Sequence, residues 1–193
     1  MQGKTKIYKM KKLSAILLTV FSVSLFSACV ESTEPFDYQA QFELEKPIIA
    51  AYVSENMPNA IYHEGTSIWY EILNEGEENS YEYKVDSFSG QIMFPIVSIN
   101  YEGRLLNGTL FDENKTLDGA TFPLSSLIDA WKIAFLPARL NDVEVGGLTE
   151  LGLQKSSVIR IVTPSLWGYQ NNSQGKVPAN APLDFTITVL DIR

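Results

Sequence analysis

Few side chains in this sequence can do chemistry by ionising near neutrality. The 193-residue chain holds one Cys, Cys29, and one His, His63. A single thiol cannot close an internal disulfide, and one thiol with one imidazole cannot build an ordinary Cys/His zinc site. A lone His leaves little room for a His-based nucleophilic triad. The sequence is richer in aromatic residues, with 10 Phe, 9 Tyr and 3 Trp. Tyr101, Phe111, Trp131, Tyr169 and Phe185 are spread along one stretch, with Asp112 next to Phe111. Taken singly, aromatics in such a stretch are ordinarily core residues. Asp112 alone reads as a turn residue, and His63 as a surface or loop residue.

Charge divides the chain in two. The formal net charge is -8, yet the first 28 residues carry five lysines (Lys4, Lys6, Lys9, Lys11, Lys12) and no acid, leaving the rest at -13. The apolar run from Leu13 to Ala28 is shorter than the roughly 20 residues of a membrane span. Lysines, a short apolar core and then small residues describe an export signal over residues 1–28. Translation starts at Met1 or at Met10. Leu25-Phe26-Ser27-Ala28-Cys29 resembles a bacterial lipobox, with Phe26 departing from its usual Leu. Cys29 is therefore the expected lipid attachment point and new N-terminus, which would anchor the protein without a spanning helix. The expected location is the bacterial cell envelope, at the outer membrane, with the face unassigned. The acidic remainder lacks the basic footprint of a nucleic-acid binder and favours a cationic partner. Glu75, Glu77 and Glu78 form its one tight acidic cluster, in what reads as a solvated loop.

The positioning elements follow from periodicity. Residues 29–64 read as a tether and an accessory helix, the helix running from about Lys46 to Met57 with Pro47 in its first turn. Residues 65–193 read as a β-rich domain. Strands are expected at Ser67–Ile72, Tyr81–Val85, Ile96–Tyr101, Val158–Thr163 and Asp184–Ile192. Asn107-Gly108 is a strong hairpin signal between Arg104-Leu105-Leu106 and Thr109-Leu110-Phe111. Leu124–Phe135 is the best helical window. The fold class is α+β: a twisted antiparallel sheet wrapped around one principal helix, with a short N-terminal helix.

Several motifs occur in order along this domain: Tyr101-x-Gly103, Gly108-x-x-Phe111-Asp112, and Phe122-x-Leu124-x-x-Leu127-Ile128-x-Ala130-Trp131. Pro164-Ser165-x-x-Gly168-Tyr169 and Val177-Pro178-Ala179-Asn180-Ala181-x-Leu183-x-Phe185 follow. Together they resemble the FK506-binding (FKBP) type of peptidyl-prolyl cis-trans isomerase over Ser67 to Arg193. The resemblance implies an apolar proline pocket that needs no metal, cofactor or covalent intermediate. It implies Trp131 as the floor, with Tyr101, Phe111, Val177 and Phe185 as walls. Leu127 and Ile128 would form the rim, with the Ile128 N–H donating to a substrate carbonyl and the Tyr169 hydroxyl to another. Asp112 would lie against Tyr101 or a ligand hydroxyl. The partners implied are proline-containing polypeptides.

Some positions depart from the family pattern. Ser125 and Ala130 stand at usual glycines, and Ala120 stands where some members carry an aromatic wall. Gln170 replaces the Gly after Tyr169, and Lys176 replaces an apolar rim residue. Between Trp131 and Gly152 the chain is longer by roughly a dozen residues, an insertion that suits a flap, a partner site or surface padding. The function implied is a lipid-anchored envelope prolyl isomerase that assists folding. Two alternatives follow from the departures: an inactive module binding proline-containing or extended segments, and a structural lipoprotein that keeps only the fold.

Overall fold

The computed structural model describes residues 35–193; the expected export signal and the expected lipid attachment at Cys29 lie outside them. Helix α1 (Tyr38–Asn56) comes first. The strands β1 (Ile61–His63), β2 (Ile68–Asn74), β3 (Lys84–Val85), β4 (Ile92–Met93), β5 (Ile96–Leu105), β6 (Leu110–Asn114) and β7 (Ala120–Pro123) follow. A 3-10 turn at Leu124–Ser126 leads into helix α2 (Asp129–Phe135). Then come β8 (Arg139–Leu140), β9 (Val143–Glu144), β10 (Val158–Thr163), a second 3-10 turn at Ser165–Trp167, and β11 (Leu183–Ile192). Residues 36–193 form one compact unit.

Seven strands make one antiparallel sheet in the order β1-β2-β10-β11-β5-β6, with β7 also on β5. The far edge of β5 is shared: Ile96 to Ile99 pair with β7, and Tyr101 to Arg104 with β6. Side chains of a strand alternate between faces, so each strand here serves two layers. Ile159 and Ile161 of β10, with Phe185, Ile187 and Val189 of β11, join the main core with Trp131, Ala134 and Phe135 of α2. Val162 points the other way and packs with Ile49, Val53 and Met57 at the end of α1. The α+β class and the antiparallel sheet around α2 stand as the sequence implied.

The first helix is longer than expected. It begins at Tyr38, one residue after Asp37, whose carboxylate accepts the Ala40 N–H at 2.9 Å. Pro47 therefore lies inside it, although an interior proline removes a helical bond and costs about 3 kcal/mol. The arrangement is tolerable because Glu43, whose carbonyl loses that bond, and Pro47 itself are both exposed. The C-terminus falls where Pro58 requires it, with Met57 N–H closing on Val53 O at 2.8 Å.

Three other expectations are corrected. The sheet begins at Ile61, so His63 is a strand residue, with Nδ1 2.8 Å from Thr66 Oγ1. Strand pairing between Tyr81 and Val85 is confined to Lys84 and Val85; Tyr81 and Tyr83 instead pack edge to face, and the Tyr83 hydroxyl donates to Leu153 O at 2.8 Å. The Leu124–Phe135 window breaks at Leu127 and Ile128, whose backbone is extended.

Candidate proline-binding site

The concave side of the sheet holds a hollow of about 280 Å³. Strand β5 supplies Tyr101, β6 supplies Phe111 and Asp112, β7 supplies Phe122, and β11 supplies Phe185. The break before α2 supplies Ser126, Leu127 and Ile128, while α2 supplies Trp131 and the loop after Ser165–Trp167 supplies Tyr169. Every residue to which the resemblance gave a site role, apart from Val177, meets here.

The rings form a continuous edge-to-face chain. Tyr101 and Trp131 have centroids 5.1 Å apart at 71°, Trp131 and Phe185 5.3 Å at 89°, and Phe185 and Phe111 5.6 Å at 86°. Such contacts contribute about 0.5–1.5 kcal/mol each beyond area burial, so the wall is preformed. Gly103 makes room for it. A Cβ there would fall 2.6 Å from Phe111 Cζ and 2.9 Å from Phe185 Cε1.

The side-chain polar groups in the lining are those of Tyr101, Asp112, Ser126, Trp131 and Tyr169. The Tyr101 hydroxyl donates to Asp112 Oδ2 at 3.0 Å. Burial, reinforced by that bond and by the Asp112 charge, pushes the Tyr101 phenol up to about 12. Burial also raises the Tyr169 phenol, with a smaller contribution from Asp112. Both phenols therefore stay protonated as donors. The Ile128 N–H and the Tyr169 hydroxyl have no acceptor among the described residues. The Trp131 indole N–H is buried and also without a partner among them. Leaving a buried donor such as this indole N–H unmet costs about 1–3 kcal/mol.

Val177 is corrected. It is only 2% exposed and does not line the hollow. Two mutual backbone bonds of 2.9 Å pinch Gln174 against Val177, and the side chain joins the core. Gln170, at the usual glycine, does enter the left-handed region, with φ 55°. Its N–H is held by Ser165 O at 2.9 Å and its carbonyl by Asn180 N–H at 2.8 Å, which stabilises the loop bearing Tyr169. Lys176 does not reach into the hollow; its Nζ lies 3.5 Å from Leu110 O. No residue of the 132–151 insertion lines the hollow either.

Sequence reasoning missed four contributors. Phe122 and Ser126 lie inside quoted motifs, so their position was the available signal. Glu45 is 2% exposed and accepts Ser165 N–H at 2.8 Å and Ser165 Oγ at 2.5 Å, fixing the start of the Tyr169 loop from α1. Asp184, 4% exposed, pairs with Arg160 Nη2 at 2.7 Å and accepts the Tyr52 hydroxyl at 2.7 Å. Neither carboxylate has a local sequence signature, because its partners lie far along the chain.

A sheet curled over a short helix, with an aromatic hollow between them, is a fold shared with known peptidyl-prolyl isomerases. The chain carries an FKBP-type peptidyl-prolyl cis-trans isomerase domain, whose sequence profile matches residues 95–190. Among curated relatives, the peptidyl-prolyl cis-trans isomerase Mip of Coxiella burnetii is 32% identical over 120 residues, 60% of this chain and 46% of that protein. A probable FKBP-type isomerase FkpA of Neisseria meningitidis is 31% identical over 101 residues, 46% of this chain and 37% of that protein. The chain thus spans less than half the length of these relatives. In fold it resembles a peptidyl-prolyl isomerase of Pseudomonas syringae, with a TM-score of 0.53, 20% identity, and 82% of this chain and 98% of that one covered. FkpA of Escherichia coli gives a TM-score of 0.52 at 20% identity, covering 100% of this chain and 74% of that one.

Proposed function

We propose that the chain is a peptidyl-prolyl cis-trans isomerase that assists protein folding in a bacterial envelope, tethered there by lipid on Cys29. The reading rests chiefly on the Trp131-floored hollow with unmet donors at its rim. X-Pro bonds cross a barrier of about 18–20 kcal/mol because the planar amide is stabilised by resonance. The twisted amide is less polar, so a dry aromatic pocket favours it over the planar one. The proline ring would sit on Trp131 between Tyr101, Phe111 and Phe185. The Ile128 N–H would hold the carbonyl of a turn-shaped peptide, and the Tyr169 hydroxyl would hold a second. Leu127 would cover the ring, and Asp112 would fix the Tyr101 hydroxyl. No proton transfer or covalent bond is needed.

Uncatalysed isomerisation takes tens to hundreds of seconds, so an isomerisation assay on X-Pro tetrapeptides has a wide window. The expected result is acceleration that Tyr169→Phe weakens and Trp131→Ala removes. Binding of the same peptides without acceleration would instead make the hollow a recognition module, a reading that the left-handed Gln170 beside Tyr169 favours. Neither binding nor acceleration would leave a protein that keeps only the fold. Labelling with radioactive fatty acid, compared between the chain and its Cys29→Ser variant, tests the anchor; equal labelling would remove it.

A further inference from the structure

A second cleft, of about 650 Å³, lies apart from the hollow and shares no residue with it. One wall is Tyr70 and Ile72 of β2, and the other is Leu148 and Leu151 of the insertion. Glu75, Glu78 and Glu150 also line it, and no Lys or Arg does. All three carboxylates are exposed, and none forms an ion pair among the described residues.

Both walls are held in place. On the insertion, Ala138 N–H reaches Thr149 O at 2.6 Å, and Leu153 N–H reaches Phe135 O at 2.9 Å. Gly147 is so tightly seated that a Cβ would lie 1.8 Å from Leu136 O. Opposite, Ser157 Oγ donates to Glu75 O at 2.6 Å and Glu77 N–H to Lys155 O at 2.7 Å, while a Cβ on Gly76 would lie 2.5 Å from Lys155 O. The acidic loop that looked merely solvated in the sequence is thus fixed beside an apolar trough.

The trough runs beside an unfinished sheet edge. Pairing between β1 and β2 ends at Ile61 with Tyr70, whereas β2 runs on to Asn74 with only β10 beside it. Ile61 and Leu151 are about half exposed there, at 53% and 51%. An open edge with apolar neighbours is a template for an added strand. Among the described residues no acidic group is gathered tightly enough to hold a metal ion. Carboxylates spread along a trough suit several cations spaced on a chain.

We infer that this cleft is a docking site for an extended, cationic polypeptide segment, one that pairs along residues 71–74 of β2, seats apolar side chains between Ile72 and Leu151, and places Lys or Arg against Glu75, Glu78 and Glu150. It goes beyond the proposed activity and does not depend on it, because the segment needs no proline. The insertion is then the second wall of an exosite.

The test uses the full chain and a labelled, proline-free peptide of alternating Lys and Val, followed by fluorescence anisotropy. The expected result is binding at least tenfold tighter than that of the Glu-Val counterpart, weakened by salt. The triple variant E75Q/E78Q/E150Q should weaken it at least tenfold, while the equally charge-reduced E43Q/E55Q/D118N, remote from the cleft, should not. Hydrogen exchange should slow at residues 71–74 when the peptide is bound. Equal loss in both triple variants would reduce the effect to net charge and overturn the site. Failure to prefer the Lys peptide would overturn it as well, as would protection elsewhere or self-association of the chain through this cleft. Prolyl-isomerase activity is read separately on the same samples, so failure of either proposal is seen independently.

Discussion

Asp184 and Phe185 are neighbours in the chain and serve opposite faces of β11. On the concave face, Phe185 joins Trp131, Phe111 and Tyr101 in an apolar wall. On the convex face, Asp184 joins Arg160 and Tyr52 in a polar cluster under α1. The concave face leaves donors unmet and space open; the convex face meets its buried charge with two Arg160 nitrogens at 3.1 and 2.7 Å and a phenol. One strand therefore separates the open hollow from the buried polar cluster by side-chain alternation alone. The Glu45–Ser165 contact crosses from α1 to the loop of Tyr169.

Substitutions on either face should break this division in different ways. Trp131→Ala removes a buried floor ring and should cost about 3–5 kcal/mol in urea unfolding, together with affinity for proline peptides. Asp184→Ala strands the Arg160 guanidinium and should cost about 3 kcal/mol. Where that variant is folded, peptide affinity should stay within about twofold, since the two side chains lie on opposite faces of the strand; a larger loss would mean the faces are not separate. Glu45→Ala should cost about 2 kcal/mol by leaving Ser165 N–H and Oγ unmet. It should also weaken peptide binding, because Ser165 O holds Gly168 and Gln170 N–H, each at 2.9 Å. Glu45→Gln, which keeps one acceptor, should fall between the two.

Alkali offers a gentler probe of the concave face. Below the ordinary phenol value of 10.0, Tyr101 is protonated whether folded or not, so it adds no pH dependence. Between that value and about 12 the unfolded chain releases the proton and the folded one keeps it, so stability should fall as pH rises. Tyr101→Phe should flatten part of that fall in unfolding curves collected across the window. The smallest effect is expected at Gln170. Left-handed backbone costs a side chain about 1–2 kcal/mol, and glycine's greater unfolded freedom returns roughly half to one. Gln170→Gly should therefore stabilise by about 1 kcal/mol or less.

The sequence was most legible where one local signal and one tertiary role agreed. Val158–Thr163 and Asp184–Ile192 alternate in sequence, and both are observed strands. The hollow was legible through the ordered motifs, because its residues act by shape and each brings a bulky ring. Val177 failed because a spacing that fits a motif does not say which way a pinched turn aims its side chain. The start of α1 failed because Pro47 is a strong local objection, overruled by an Asp37 cap and by packing of Ile49 and Val53 on the sheet. Glu45 and Asp184 look like surface acids until partners 120 and 24 residues away are in place.

The strand order also governs when this domain can fold. Strand β11, the last in sequence, lies between β10 and β5 in the sheet, and Ile96 and Arg193 exchange backbone bonds of 2.7 and 3.0 Å. The loop closures that precede such long-range pairing are slow relative to local helix formation. During synthesis, β5 and β10 wait with uncovered edges until that strand emerges, the period when a nascent chain is most prone to aggregate. Slowing elongation just before residue 183 should lengthen that exposure and lower the soluble yield.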